Sequence, residues 1–174
     1  VADYIIEYAK EKDSYVNNLK LQKILYYLHA RFLTEKSKPL FDAVIEKWKY
    51  GPVVPDVYYR FNHLGAEDIK NIPSEFDFMS LLSTEDISKL RSDTAQLSSI
   101  INVQFKDEDK HIIDETIEKL IRYTPFELVD KTHNHDSWLK DKGRILSGER
   151  HIKYDNLEII RDFEEHPEFK LWRK

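Results

Sequence analysis

Residues 18–34, Asn-Leu-Lys-Leu-Gln-Lys-Ile-Leu-Tyr-Tyr-Leu-His-Ala-Arg-Phe-Leu-Thr, decide how the rest of the chain is read. Leu21, Leu25, Leu28 and Phe32 fall at i, i+4, i+7 and i+11, the spacing that lines one face of an α-helix. Asn18 belongs to the residue types that cap a helix N-terminus, so the segment predicts a central helix over 19–34. Lys20, Lys23, Tyr27 and Arg31 recur at i, i+3, i+7 and i+11 on the other side. This basic and aromatic stripe reads as an exposed face and, with Gln22, as a candidate contact surface for a partner. The plainer alternative is lysine stems lying over apolar neighbours.

Outward from that helix, residues 2–12 place Ala2, Ile5, Ile6 and Ala9 on one face of a short amphipathic helix, flanked by Tyr4 and Tyr8. Between Pro39 and Pro55 the periodicity fails. Phe41, Val44, Ile45, Trp48 and Tyr50 favour strands and Gly51-Pro52 is a breaker, so a short strand or hairpin is expected at 44–50. Pro55 suits a first helical position and Gly65 a stop, giving a helix over 55–64. Residues 66–82 read as a connection, 84–100 and 107–122 as helices. Thr124-Pro125-Phe126-Glu127 carries a capping box that starts a helix over 125–133. Residues 134–153 read as loop around Trp138 and Leu139, and Asp155 caps a last helix that ends before Pro167. The fold expected is mainly α: one compact helical domain over 1–174 with a small β-strand or hairpin element near residues 44–54.

Composition narrows the function classes. Leu, Ile, Val and Phe supply 51 of 174 residues, enough for a core, and only four glycines argue against sandwiches and barrels. Cysteine is absent, which removes disulfides, thiolate metal sites and a cysteine nucleophile and fits a cytoplasmic protein. The sequence shows no membrane span and its first residues have no signal-peptide pattern. Formal charge is −5, and residues 67–118 hold thirteen acidic against five basic side chains, which disfavours nucleic acid and favours a basic protein partner.

Catalytic patterns are sparse. His133-Asn134-His135-Asp136 gathers two imidazoles and a carboxylate, but matches no zinc spacing, so a His/acid metal-dependent enzyme is kept only as an alternative. No Gly-x-Ser-x-Gly elbow and no phosphate-cradling loop is present, so neither a catalytic residue nor a metal or other cofactor is expected. The richest remaining cluster is aromatic: Phe41, Trp48, Tyr50, Tyr58, Tyr59 and Phe61. Trp48 and Phe61 read as core. Tyr50 and Tyr59 are candidates for partner contact, and an unpaired strand edge here is a candidate acceptor for a partner strand.

Three blocks resemble the Panacea domain, a family also described as SocA-like antitoxin or phage-associated protein. They are Leu19-Lys20-Leu21-Gln22-Lys23-Ile24-Leu25-Tyr26-Tyr27, Pro39-Leu40-Phe41, and Trp48-Lys49-Tyr50-Gly51-Pro52-Val53-Val54 with Tyr58 and Gly65. Leu128, Thr132-His133, Trp138, Ile152, Ile159 and Phe163 resemble its second signature. Ser137 stands before Trp138 where the family often has proline, and an added DNA-binding module found in some members is not seen. The resemblance implies an antitoxin that neutralises a cognate protein toxin by direct stoichiometric binding, or an adaptor that delivers a toxin to bacterial protease machinery. Leu21, Leu25, Tyr26, Trp48, Gly51, Pro52, Val53, Thr132, His133 and Trp138 are expected to serve the fold. Lys20, Gln22, Lys23 and Tyr27, with Arg31, Tyr50 and Tyr59, form the candidate partner-facing set.

Overall fold

The computed structural model describes residues 1–72 and 105–173. The helix expected over 84–100, and most of the 66–82 connection, lie outside the described residues. These residues form eight α-helices and one two-stranded antiparallel hairpin. In chain order they are α1 (Ala2–Glu11), α2 (Asn18–Lys36), β1 (Glu46–Trp48), β2 (Gly51–Val53), α3 (Pro55–Phe61), α4 (Asp107–Leu120), α5 (Pro125–Thr132), α6 (Asp136–Leu139), α7 (Lys142–Leu146) and α8 (Asn156–Glu165). The protein is mainly helical with a small β element, as its sequence predicts. No helix among the described residues is long and apolar enough to cross a membrane.

The cap of α2 lies one residue earlier than expected. Asn17 accepts the Lys20 N–H at 2.9 Å, while Asn18 lies inside the helix and donates to the Tyr58 carbonyl at 2.9 Å. At the other end Ser37 turns left-handed, φ 53°, and stops the helix. The capping box at Thr124/Glu127 forms as the sequence predicts; Asp155 caps the last helix as expected and completes a second box with Glu158, so each start gains two partners. Residues 134–153 depart from the expected loop by forming α6 and α7. Their anchors, Trp138 and Ile145, bury against Ile152 in a small satellite cluster, and that burial offsets a weak local helix pattern.

α2 is the axis of the main core. It touches α1, α3, α4, α5, α8 and β2, and every residue from Asn18 to Leu33 except Leu19 is buried. An amphipathic pattern predicts one wet face, but a helix enclosed on all sides has none. Tyr26, Tyr27, Phe163 and Trp172 close one flank of the core, with Phe163 stacked on Trp172 at 5.3 Å and edge-on to Tyr27 at 5.8 Å. Trp172 is fixed by donating to Glu35 at 2.9 Å.

Phe163→Ala removes a fully buried ring from this aromatic flank. It should lower unfolding free energy by about 3–5 kcal/mol, read from the midpoint shift in chemical denaturation.

Candidate functional site

The stripe expected to face a partner is buried in this fold. Lys23 and Tyr27 are 0% exposed, Gln22 is 1% exposed, and Lys20 and Arg31 are also buried. Apart from the Tyr27 hydroxyl, which has no hydrogen-bond partner among the described residues, their polar ends meet the protein's own groups. Lys20 Nζ donates to the Ile121 carbonyl at 2.6 Å, and Gln22 donates to Asn18 at 3.0 Å while accepting the Val54 N–H at 2.8 Å. Arg31 donates to Glu35 at 2.9 Å, to Thr116 at 2.9 Å and to Glu115 at 2.7 Å. The correction has a simple origin: long cationic side chains carry enough apolar stem to lie inside a core when a carbonyl or carboxylate awaits the head.

Lys23 Nζ donates to the Pro52 carbonyl at 2.9 Å and ties β2 to α2. Burial penalises its charged form and brings its pKa down to about 7. Beside it, Gly51 has φ 89°, and a Cβ placed there would lie 2.5 Å from Thr132 Oγ1 and 3.3 Å from Lys23 Nζ. Glycine is required here twice, for its left-handed backbone and for the close approach of α5. Neither residue of the Lys49-Tyr50 turn has a positive φ, so Gly51 alone takes the left-handed step.

The second signature completes this frame. His133 stacks on Trp138 with centroids 3.9 Å apart, and Trp138 Nε1 donates to the Trp48 carbonyl at 3.0 Å. Thr132 donates to the Val129 carbonyl at 2.9 Å and is fully buried. Desolvation holds the His133 pKa below its usual value. Below the hairpin, buried Lys47 forms ion pairs with Asp141 at 2.8 Å and Glu158 at 2.7 Å. Glu46 accepts from Trp48 Nε1 at 2.8 Å and pairs with His151 at 3.0 Å.

The His133/His135 pair does not assemble a metal centre. His135 turns inward, with Nδ1 3.0 Å from the Tyr26 hydroxyl and its ring stacked on Phe169, and burial lowers its pKa to about 3. Among the described residues, Asp136, Glu165 and His166 can present three ligand atoms within 4.8 Å of one another. They lie toward the surface, and His166 is paired with Asp136 at 3.2 Å.

Both edges of the hairpin are covered, so the strand-acceptor reading is corrected as well. Along β1, Lys47 N–H donates to the Ile152 carbonyl at 2.7 Å and Tyr154 N–H to the Ile45 carbonyl at 2.8 Å. Along β2, Pro52 has no N–H, its carbonyl takes Lys23, and the next N–H, of Val54, goes to Gln22. What remains outside is aromatic. Tyr50, Tyr59 and Phe126 are 50%, 61% and 64% exposed, and Trp48 and Tyr58 are half-buried between them and the core. Trp48 meets Tyr58 edge-on at 4.8 Å and Tyr59 at 6.2 Å, while Tyr50 meets Phe126 at 6.5 Å. Phe126 escaped the sequence reading because its place in a capping-box turn drew attention to the cap, not to its exposed ring.

The family model described as "Antitoxin SocA-like, Panacea domain" matches residues 21–139. The chain is similar to Antitoxin SocA of Caulobacter vibrioides (strain NA1000 / CB15N), with 41% identity over 80 residues, 46% of this chain and 43% of the relative. The chain thus spans less than half the length of the curated relative it matches. No solved structure matches.

Two measurements check the frame. Gly51→Ala should destabilise by about 1–3 kcal/mol or more, through backbone strain and the clash with Thr132. Adding Thr132→Ala should return part of that loss in a double-mutant cycle of thermal melts. The second check is pH. Lys23 has a folded pKa of about 7 against 10.5 when unfolded, so between these values the unfolded chain holds the extra proton and stability rises with pH. The slope from this one group is at most about 1.4 kcal/mol per pH unit. Melting temperature should climb from pH 7 towards pH 9.5, and Lys23→Met should flatten that climb.

Proposed function

The chain belongs to the Panacea-domain family of SocA-like antitoxins, and from that membership we propose that it is an antitoxin that neutralises a cognate protein toxin in the cytoplasm by direct, stoichiometric binding. One observation carries the reading. The polar residues of the family-like blocks, Lys20, Gln22, Lys23 and Thr132, are bound to the protein's own groups inside the fold, while the surface above them presents aromatic rings. Buried and bonded, those groups are out of reach of a substrate, whereas exposed tyrosines are the material of protein recognition. Neutralisation by binding needs a stable shape and a complementary surface, and no reacting group.

Delivery of a toxin to a protease is the second mode that family resemblance implies, and it differs in what becomes of the toxin. The test co-expresses this chain with the toxic product of the adjacent gene and follows growth, toxin level and co-elution on size exclusion. Growth rescue with both proteins eluting together at constant ratio is the expected result. Rescue with loss of the toxin, reversed in protease-deficient cells, would establish an adaptor instead. A toxic neighbour with neither rescue nor complex would overturn the antitoxin reading.

A further inference from the structure

We propose that Asp136, Glu165 and His166 form a binding site for one first-row divalent metal ion, zinc being the best match, at the joint between the start of α6 and the end of α8, and that the ion ties these two helix ends together. The inference stands apart from the antitoxin reading, and its failure would leave that reading untouched. Sequence spacing groups Asp136 with His133 and His135. In the fold those histidines turn to Trp138 and Tyr26, and the imidazole that meets Asp136 is His166.

Ligand spacing is the first support. One oxygen of Asp136, one of Glu165 and one nitrogen of His166 all lie within 4.8 Å of one another. His166 Nε2 stands 3.2 Å from Asp136 Oδ2. Two ligands that each sit about 2.1 Å from a metal ion are roughly 3 to 4 Å apart, so this pair already has ligand separation. A small torsion of the exposed Glu165 side chain brings in the third ligand.

The second support lies behind the imidazole. A histidine that binds a metal through one ring nitrogen typically turns the other towards a carboxylate, which fixes the ring. Here Nδ1 lies 3.4 Å from Glu168 Oε1 while Nε2 faces Asp136. The ring also packs on Phe169, with centroids 4.8 Å apart. His166 is thus held in the orientation a ligand needs.

Charge and framework agree with this placement. Asp136, Glu165 and Glu168 set three carboxylates around one imidazole, so even with His166 protonated these four side chains carry a net negative charge that a dication offsets. Glu165 is the last residue of α8 and His166 its C-cap, where the carbonyl end of the helix favours positive charge. Asp136 is the first residue of α6, and it is brought there by buried Asp162 of α8, which accepts the Ser137 N–H at 3.1 Å. The two ligand-bearing ends therefore meet at a spacing set by a buried bond and not by the surface side chains themselves. An imidazole nitrogen beside two carboxylates suits zinc and its neighbours better than magnesium or calcium, which take oxygen ligands. Three protein ligands leave a fourth position for water.

The experiment titrates zinc chloride into the purified, untagged, metal-free full chain by calorimetry and follows the melting temperature in parallel. One equivalent should bind, and with free zinc at about 100 times the dissociation constant the melt should rise by roughly 5–10 °C. Glu165→Gln and His166→Gln should each keep the metal-free melt and weaken zinc binding at least about tenfold. Should His166→Gln lower the metal-free melt, Glu165→Gln, on an exposed side chain, decides the question. His151→Gln, which removes an exposed imidazole paired with Glu46 instead, should bind zinc as the wild type does. Magnesium chloride at the same concentration should not displace the zinc. No zinc binding, binding unchanged in Glu165→Gln, or equal displacement by magnesium would each overturn the site.

Discussion

Everything in this structure follows from enclosing α2. A helix with neighbours on every side must find partners for its polar groups inside the protein, since a buried donor or charge left alone costs more than most packing contacts contribute. α2 carries Asn18, Lys20, Gln22, Lys23 and Arg31 into that enclosed space. Each then dictates what stands opposite. Asn18 takes a carbonyl of α3, Lys20 the carbonyl after α4, Gln22 and Lys23 the backbone of and just after β2, and Arg31 the side chains and backbone of α4. The helix is thus a template whose hydrogen bonds place three of its neighbours, α3, α4 and β2.

The hairpin shows the consequence. Two strands of three residues have little stability alone. Here β2 leans on Lys23 and Gln22, β1 pairs with residues 152–154, and Lys47 anchors the far side to Asp141 and Glu158. Gly51 lets α5 approach close enough for Thr132 to fill the space a side chain would need. The turn thus makes these contacts on its inward side and carries exposed side chains, Tyr50 above all, on its outward side. Burial also sets the proton economy of this region. Lys23 and His135 both favour their neutral forms inside the fold, so the folded protein resists protonation that the unfolded chain accepts.

The aromatic surface and the buried polar frame are two sides of one element. Trp48 belongs to both: its carbonyl and indole nitrogen are committed inward to Trp138 and Glu46, and its ring faces Tyr58 and Tyr59. The rings of Tyr50 and Tyr59 take part in none of the hydrogen bonds that hold the hairpin.

The sequence by itself determined most elements: the period of Leu21, Leu25, Leu28 and Phe32, the capping box at Thr124, the cap at Asp155 and Pro55 at a helix start are local signals acting within one or two turns of chain, whereas Gly51-Pro52, read as a breaker, opens β2. It also identified Tyr50 and Tyr59 as side chains to watch. It misplaced Lys20, Lys23, Tyr27 and Arg31 because amphipathic periodicity reports residue type, not enclosure, and the carbonyls that make burial of the three cations tolerable come from residues 29 to 101 positions away. It missed α6 and α7 because the burial of their anchors, Trp138 and Ile145, depends on Ile152 and the hairpin, which local sequence does not reveal. Only the tertiary structure decided which polar groups are wet and which are bonded inside, because burial of a charge depends on what the rest of the chain brings to meet it.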